Sequence, residues 1–156
     1  MESARPATAA DLPALGRLAA EARAEMRNKR GGDVLHRLDR NREDPQSGIE
    51  RRFEDSAGTV VVGCIDDTPV GFATMTVLNA ADGRPHAVVD ALYVDPEARS
   101  VGVGEAMMGL LMAAAAAAGA VGIEATALPG DRATKNFFET HGLVARALTV
   151  HRRLDS

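Results

Sequence analysis

Cysteine is almost missing from this chain. Cys64 stands alone among 156 residues, so no internal disulfide can form. It lies in the apolar run TVVVGCI (59–65), which predicts a buried, inert thiol. Long charge-free apolar runs are missing too. No stretch approaches the ~18 residues that a bilayer-spanning helix requires, so a soluble protein without a membrane partner is expected. The opening MESARPATAADLPAL begins with a carboxylate and lacks the basic and apolar regions of a secretory signal, which predicts a cytoplasmic location. Excess positive charge is absent as well: a formal net charge of −4 and a pI near 5.5 leave no basic footprint for nucleic acid. Arginines do crowd 23–52, but acids are interleaved almost one for one, the pattern of solvated helix faces. There is no repeat, linker or second-domain boundary. With 46% hydrophobic and 26% charged residues, one globular domain over 1–156 is expected, with no metal.

What is present divides into helical and strand-like stretches. Leu12, Leu15, Leu18, Ala19, Ala22 and Met26 recur at helical spacing behind the candidate caps Thr8 and Asp11, and SARPAT before them reads as a short edge strand. GGDVLHRL and SGIERRFEDS read as short helices, the second with Ser47 and Glu50 at capping-box spacing and Ile49 and Phe53 inward. TVVVGCI and VGFATMTVL (70–78), joined by DDTP, predict an antiparallel hairpin. HAVVDALYV (86–94) predicts a strand, GEAMMGLLMAAAAAA a helix closed by Gly119, VGIEATAL a strand, DRATKNFFETH a helix closed by Gly142, and LVARALTVHRRL a last strand. This order implies a mixed α/β sheet with a strand-helix-strand crossover late in the chain. The last strand has few partners left, so a homodimer is expected to cover it.

RSVGVGEAM (99–107) admits three readings. A dinucleotide fingerprint needs a third glycine where Met107 stands, and a Walker loop needs G-K-[ST], which is missing. An anion site without a nucleotide code remains. Gly102 and Gly104 remove side chains where backbone N–H groups leave the start of a helix, and those unpaired donors and the helix dipole favour a phosphate. Arg99 adds charge beside them. A plain glycine-rich connector is the alternative.

The stretch ALYVDPEARSVGVGEAMM resembles the acetyl-CoA signature of the GNAT N-acetyltransferase superfamily, R/Q-x-x-G-x-G/A after a strand ending in L-x-V. Arg99, Gly102 and Gly104 fall on the motif residues, and ARPATAADLPAL is similar to the family's first strand and helix. The resemblance covers nearly the whole chain. It implies a mixed, mostly antiparallel, twisted sheet with splayed central strands flanked by helices, and acetyl-CoA as cofactor. Ser100, Val101, Val103 and Glu105 complete the implied pyrophosphate loop. Leu92, Tyr93 and Val94, on the strand that bulges in the family, are implied to contact pantetheine and thioester through their backbone, with an unpaired strand N–H as oxyanion donor. The small residues behind the loop are expected to let the helix lie close to the sheet.

The implied reaction is acetyl transfer to a primary amine, of a small molecule or a protein, by direct attack in a ternary complex. A weakly catalytic coenzyme A-binding sensor or assembly module is the alternative. Asp90 is expected to share the Leu92 face of its strand and to accept the amine's proton as base, or else to be a carboxylate bonded to a neighbouring loop or arginine. His86 is a weaker candidate. GDRATKNFFETHGL resembles the family's N-x-x-A-x-x-x-Y-x-x-x-G-F segment, with Asp131, Thr134 and Phe138 on the asparagine, alanine and tyrosine positions. Phe138 therefore lacks the hydroxyl that protonates the departing thiolate in the family. Of Phe137 and Phe138, at least one is expected to face the sheet and the other to wall the cofactor channel. The acceptor is expected near 27–55, 79–86 and 144–153, with 28–44 as a distinctive element.

Overall fold

A computed structural model of the chain describes residues 1–34 and 44–155. Its sheet has the order β1 (Glu2–Pro6), β2 (Gly58–Ile65), β3 (Thr68–Asn79), β4 (Pro85–Val94), β5 (Ile123–Ala125). Neighbours are antiparallel except β4 and β5, which are parallel. The hairpin between β2 and β3 turns on Asp66 and Asp67, both at positive φ, the geometry of a two-residue connection matched to strand twist. Helices α1 (Leu12–Arg27) and α2 (Pro45–Glu54) cover one face. Helix α3 (Val103–Ala117), the crossover between β4 and β5, covers the other, and α4 (Arg132–Thr140) adds Phe138 to that side. The mixed, helix-flanked sheet expected from the sequence is the one observed.

Alternation along the strands builds a core on each face. Val61, Ala73, Met75, Ala87 and Val89 meet Val103, Met107, Met108 and Leu111 of α3. Val60, Val62, Cys64 and Phe72 meet Leu15 and Leu18 of α1 and Ile49 of α2. Cys64 is buried as expected, and burial pushes its thiol above the usual range. The expectation for the alanine-rich segment is met in part. Ala115 is buried on the sheet side of α3 and Ala114 packs beside it, but that side otherwise carries large residues, and Ala113, Ala116 and Ala117 face solvent. The room is made by the strand: a Cβ on Gly63 would lie 2.5 Å from Val103 Cγ1 and 3.0 Å from Met107 Sδ. The solvent-facing alanines act through helix propensity.

Three other expectations are corrected. Helix α2 is capped by Asp44, whose carboxylate accepts from the N–H groups of Gln46 and Ser47, both at 3.1 Å. Pro45, which has no N–H to lose, takes the first turn and shifts the start upstream of Ser47. Phe53 on the same helix is 39% exposed. Residues 143–155 form no strand, and Leu148, Val150 and Leu154 are 87–89% exposed. A strand pattern alone does not make a strand; without a paired neighbour the segment stays irregular. The helix expected around 31–38 lies largely outside the described residues.

Asp11, at the start of α1, is 6% exposed. Its carboxylate accepts from both terminal nitrogens of Arg5 (2.7 and 2.9 Å) and from the Thr8 N–H (2.8 Å). The Arg5 guanidinium, above all, lowers its pKa from 3.8 to about 2. A depressed carboxylate stabilises the fold above its unfolded pKa and loses that contribution as pH falls through the folded value. Asp11→Asn is expected to cost on the order of 1–2 kcal/mol near neutral pH by denaturant melts. The deficit should shrink below pH 3.8 and vanish near pH 2; a constant deficit would contradict the assignment.

Candidate active site

The site begins with one extra residue. Thr74 pairs with Ala91 and Met75 with Val89, so Asp90 has no counterpart on β3 and β4 bulges there. Before the bulge Ala87 and Val89 point toward α3; after it Leu92 and Val94 do, while Ala91 and Tyr93 turn to the α1 and α2 face. The bulge also ends the pairing with β5, which matches only Ala87, Val88 and Val89. Beyond Val89 the central strands part, leaving the edge of Leu92–Val94 without a β5 partner. One of its carbonyls, that of Val94, accepts from Arg99 Nε at 2.8 Å.

The chain then runs through a short turn, Pro96–Ala98, capped by the Asp95 carboxylate. Ser100 holds a left-handed conformation (φ +66°) and Gly102 another (φ +102°) as the N-cap of α3. Gly102 has no side chain to cap the helix, so the first-turn N–H groups of α3 have no side-chain acceptor there. Gly104 lets the Phe137 ring lie against this first turn: a Cβ there would stand 3.1 Å from the ring.

Leu92, Tyr93, Val94, Arg99, Ser100, Gly104, Glu105, Asp131, Thr134, Phe137 and Phe138 line one cavity of about 390 Å³. Val101, Gly102 and Val103 are not on its wall: Val101 is 49% exposed, and Val103 is buried in the core at 1%. Phe138 is buried in the core below the cavity, and Phe137 crosses it edge-on with ring centroids 5.5 Å apart. The hydroxyls of Thr134 and Thr140, also on the wall, are committed to the Asp131 carboxylate (2.6 Å) and the Phe137 carbonyl (2.6 Å).

Two charged residues on the wall were not singled out from the sequence: Glu25, in the last turn of α1, and Lys29, just beyond its end. The Glu25 carboxylate accepts from Arg99 at 2.8 Å, and Lys29 donates to Asp131 at 2.7 Å. The end of α1 thus ties both walls together. Arg99 also lies over the Tyr93 ring, 5.5 Å from its centroid. Burial, first, pushes the Tyr93 phenol up. Burial likewise pushes the Asp131 carboxyl up, but hydrogen bonds from Lys29 and Thr134 outweigh it and hold the group below the usual range. In the sequence nothing separates Glu25 and Lys29 from the other interleaved charges of 23–52.

Asp90 lies elsewhere. It is not on the cavity wall, and the expectation that it shares Leu92's face is overturned, because the bulge between them shifts the alternation. Its carboxylate accepts from Arg52 Nε (3.0 Å) and Nη2 (3.2 Å) of α2 and from the Thr76 hydroxyl (2.8 Å). It is therefore fixed on the α1 and α2 face, at the point where β4 leaves β5. His86, at the start of β4, stands 3.8 Å from Glu124.

Lys29→Met, which keeps the stem and removes the charge, is expected to raise the Asp131 carboxyl pKa, read by carbon NMR of that group. No movement would show that the pair does not form in solution.

A family model described as the acetyltransferase (GNAT) family matches residues 21–143. Among solved structures, a protein of Bacillus halodurans superposes with a TM-score of 0.79 at 19% identity, over 97% of this chain and 98% of that one. An aminoglycoside acetyltransferase from an uncultured soil metagenomic sample, in complex with sisomicin, gives 0.71 at 20% identity over 99% and 96%. AAC(6')-Iy, in complex with the bisubstrate analog CoA-S-monomethyl-acetylneamine, gives 0.73 at 14% identity over 100% and 99%. None of the curated proteins matches the sequence.

Proposed function

The chain belongs to the acetyltransferase (GNAT) family, and on that footing we propose that it transfers the acetyl group of acetyl-CoA to a primary amine by direct attack in a ternary complex. One observation carries this reading: the open first turn of α3 and the uncovered edge of Leu92–Val94 meet in one cavity. Acetyl-CoA supplies the acyl group in activated form, as a thioester. The residues present suit it. N–H groups at the start of α3, which no side chain caps, suit a diphosphate, which needs donors. The free strand edge suits the amides of a pantetheine arm, and a strand N–H there would donate to the carbonyl oxygen as it gains charge. Arg99 and Lys29 stand on either wall, each paired with a carboxylate, Glu25 and Asp131, which leaves the main-chain donors as the grip.

The acceptor amine approaches in this reading from the α1 and α2 face, where Asp90 stands at the inner end of the parted strands. Arg52 and Thr76 orient its carboxylate, which takes the amine's proton directly or through water. The net charge of −4 favours the approach of cationic amines. The aminoglycosides named for two of the structural relatives supply a first set of polyamine acceptors to try. Protonation of the thiolate falls to water, since Phe138 carries no hydroxyl and those of Thr134 and Thr140 are committed. Phe138 also favours a second reading, a coenzyme A binder that turns over poorly.

Single-turnover mixing of enzyme and acetyl-CoA with a panel of primary amines separates the readings. Acceptor-dependent thiol release is expected; none with any amine would leave the binder. Gly104→Val is expected to weaken coenzyme A at least tenfold, about 1.4 kcal/mol, because the side chain would press on the Phe137 ring and displace it on the cavity wall. Unchanged affinity by calorimetry would remove the cradle. Asp90→Asn is expected to lower kcat by roughly 10²-fold or more at unchanged coenzyme A affinity. A variant with parental kcat and a lower Tm would reduce Asp90 to a structural partner of Arg52.

A further inference from the structure

Charge on the cavity wall runs against a polyanionic ligand. Glu25, Glu105 and Asp131 stand there with Lys29 and Arg99, three carboxylates against two cations, whereas coenzyme A brings a diphosphate and a further phosphate. Each of these acids repels that ligand, so each calls for a physical reason. Asp131 has one in the fold: its carboxylate caps α4 through the Thr134 N–H at 3.1 Å. Glu105 lies in the first turn of α3, where the helix dipole favours an acid. Glu25 has neither. It lies in the last turn of α1, the end at which the dipole disfavours negative charge. Among the described residues its carboxylate bonds to Arg99. The Glu25 and Arg99 side chains are 30% and 40% exposed, and a pair so placed adds little to stability.

The bond matters instead for what it withholds. Arg99 directly precedes the loop that leads to the open first turn of α3. Its Nε donates to the Val94 carbonyl at 2.8 Å, its Nη2 donates to Glu25 at 2.8 Å, and it lies over the Tyr93 ring. Of these three contacts, Glu25 is the charged one. We propose, resting on the acetyl-transfer reading, that Glu25 is a counter-ligand: it occupies Arg99 in the empty cavity, gives it up to a phosphate of entering coenzyme A, and takes it back as the coenzyme leaves. Main-chain donors at the start of α3 hold the diphosphate throughout, because no carboxylate competes for them. Arg99 adds its charge only once its bond to Glu25 is broken, so that contact contributes little net affinity in the parent chain. The thioester and the thiol product carry the same phosphates, so Glu25 weakens both alike and keeps the product exchangeable.

Glu25→Gln keeps the length of the side chain and removes its charge. Calorimetry on the full chain is expected to show coenzyme A and acetyl-CoA both bound roughly threefold tighter or more, the size of one half-exposed ion pair, with the ratio of the two affinities unchanged. Glu25→Ala, which also releases Arg99, should show the same gain. The gain should shrink as salt is raised, since charges at a half-exposed site are screened. It should vanish when Arg99→Gln is added, because the released guanidinium is its source. Unchanged affinity in both Glu25 variants would overturn the proposal. So would a gain that persists without Arg99, or a loss of affinity joined to a lower Tm, which would make Glu25 a structural support of Arg99. A parent chain that binds neither ligand would remove the acetyl-transfer reading and the counter-ligand role with it; binding without a gain would remove the counter-ligand role alone.

Discussion

The structure depends on the bulge at Asp90. One residue too many on β4 shifts the strand's alternation, so that Val89 and Leu92 both face α3 although they are three apart. The same residue ends the ladder to β5. Strand hydrogen bonds forgone beyond Val89 leave donors and acceptors that must find partners elsewhere. The Val94 carbonyl finds Arg99; the remainder of the edge faces a cavity large enough for an extended polar chain.

Helix α3 holds that opening in place. Val103 and Met107 sit over Gly63, so the helix is locked against the sheet near its own N-terminus. Its first turn is thereby aimed past Gly104 into the space beside β4. The direction of a helix start is decided by packing far less polar than anything the start will bind. On the opposite wall, Asp131 caps α4 through the Thr134 N–H and receives Lys29, while Glu25 occupies Arg99. Both cations of the cavity are thus already paired. Any phosphate entering competes with carboxylates for side chains, but not for the main-chain donors, which makes those donors the preferred grip.

The two faces of the sheet divide the proposed reaction. In the proposed reading the coenzyme A side is β4, α3 and α4, and the acceptor side is Asp90, Thr76 and Arg52 with α1 and α2. The faces meet where β4 bulges, and in the proposed reaction a nucleophile and a thioester arriving from opposite sides must come within bonding reach there. In this arrangement the second helix does more than cover a core: through Arg52 it sets the orientation of the carboxylate at the junction.

Periodicity and turn chemistry were enough to read most of the elements. The hairpin around Asp66 and Asp67, the helix closed by Gly119, the buried Cys64 and the loop from Arg99 to Gly104 depend on neighbours in the chain, and local preferences already point to them. The family resemblance of residues 91–108 added the splayed sheet, which no local preference contains. Only the tertiary structure decided the rest. Glu25 and Lys29 look like any solvated pair until packing brings α1 against both walls. Asp90 changes face because a bulge acts on every residue after it. Residues 144–150 carry a strand's alternation but pair with no strand, and the hydrogen bonds that make a strand belong to the pair, not to either sequence.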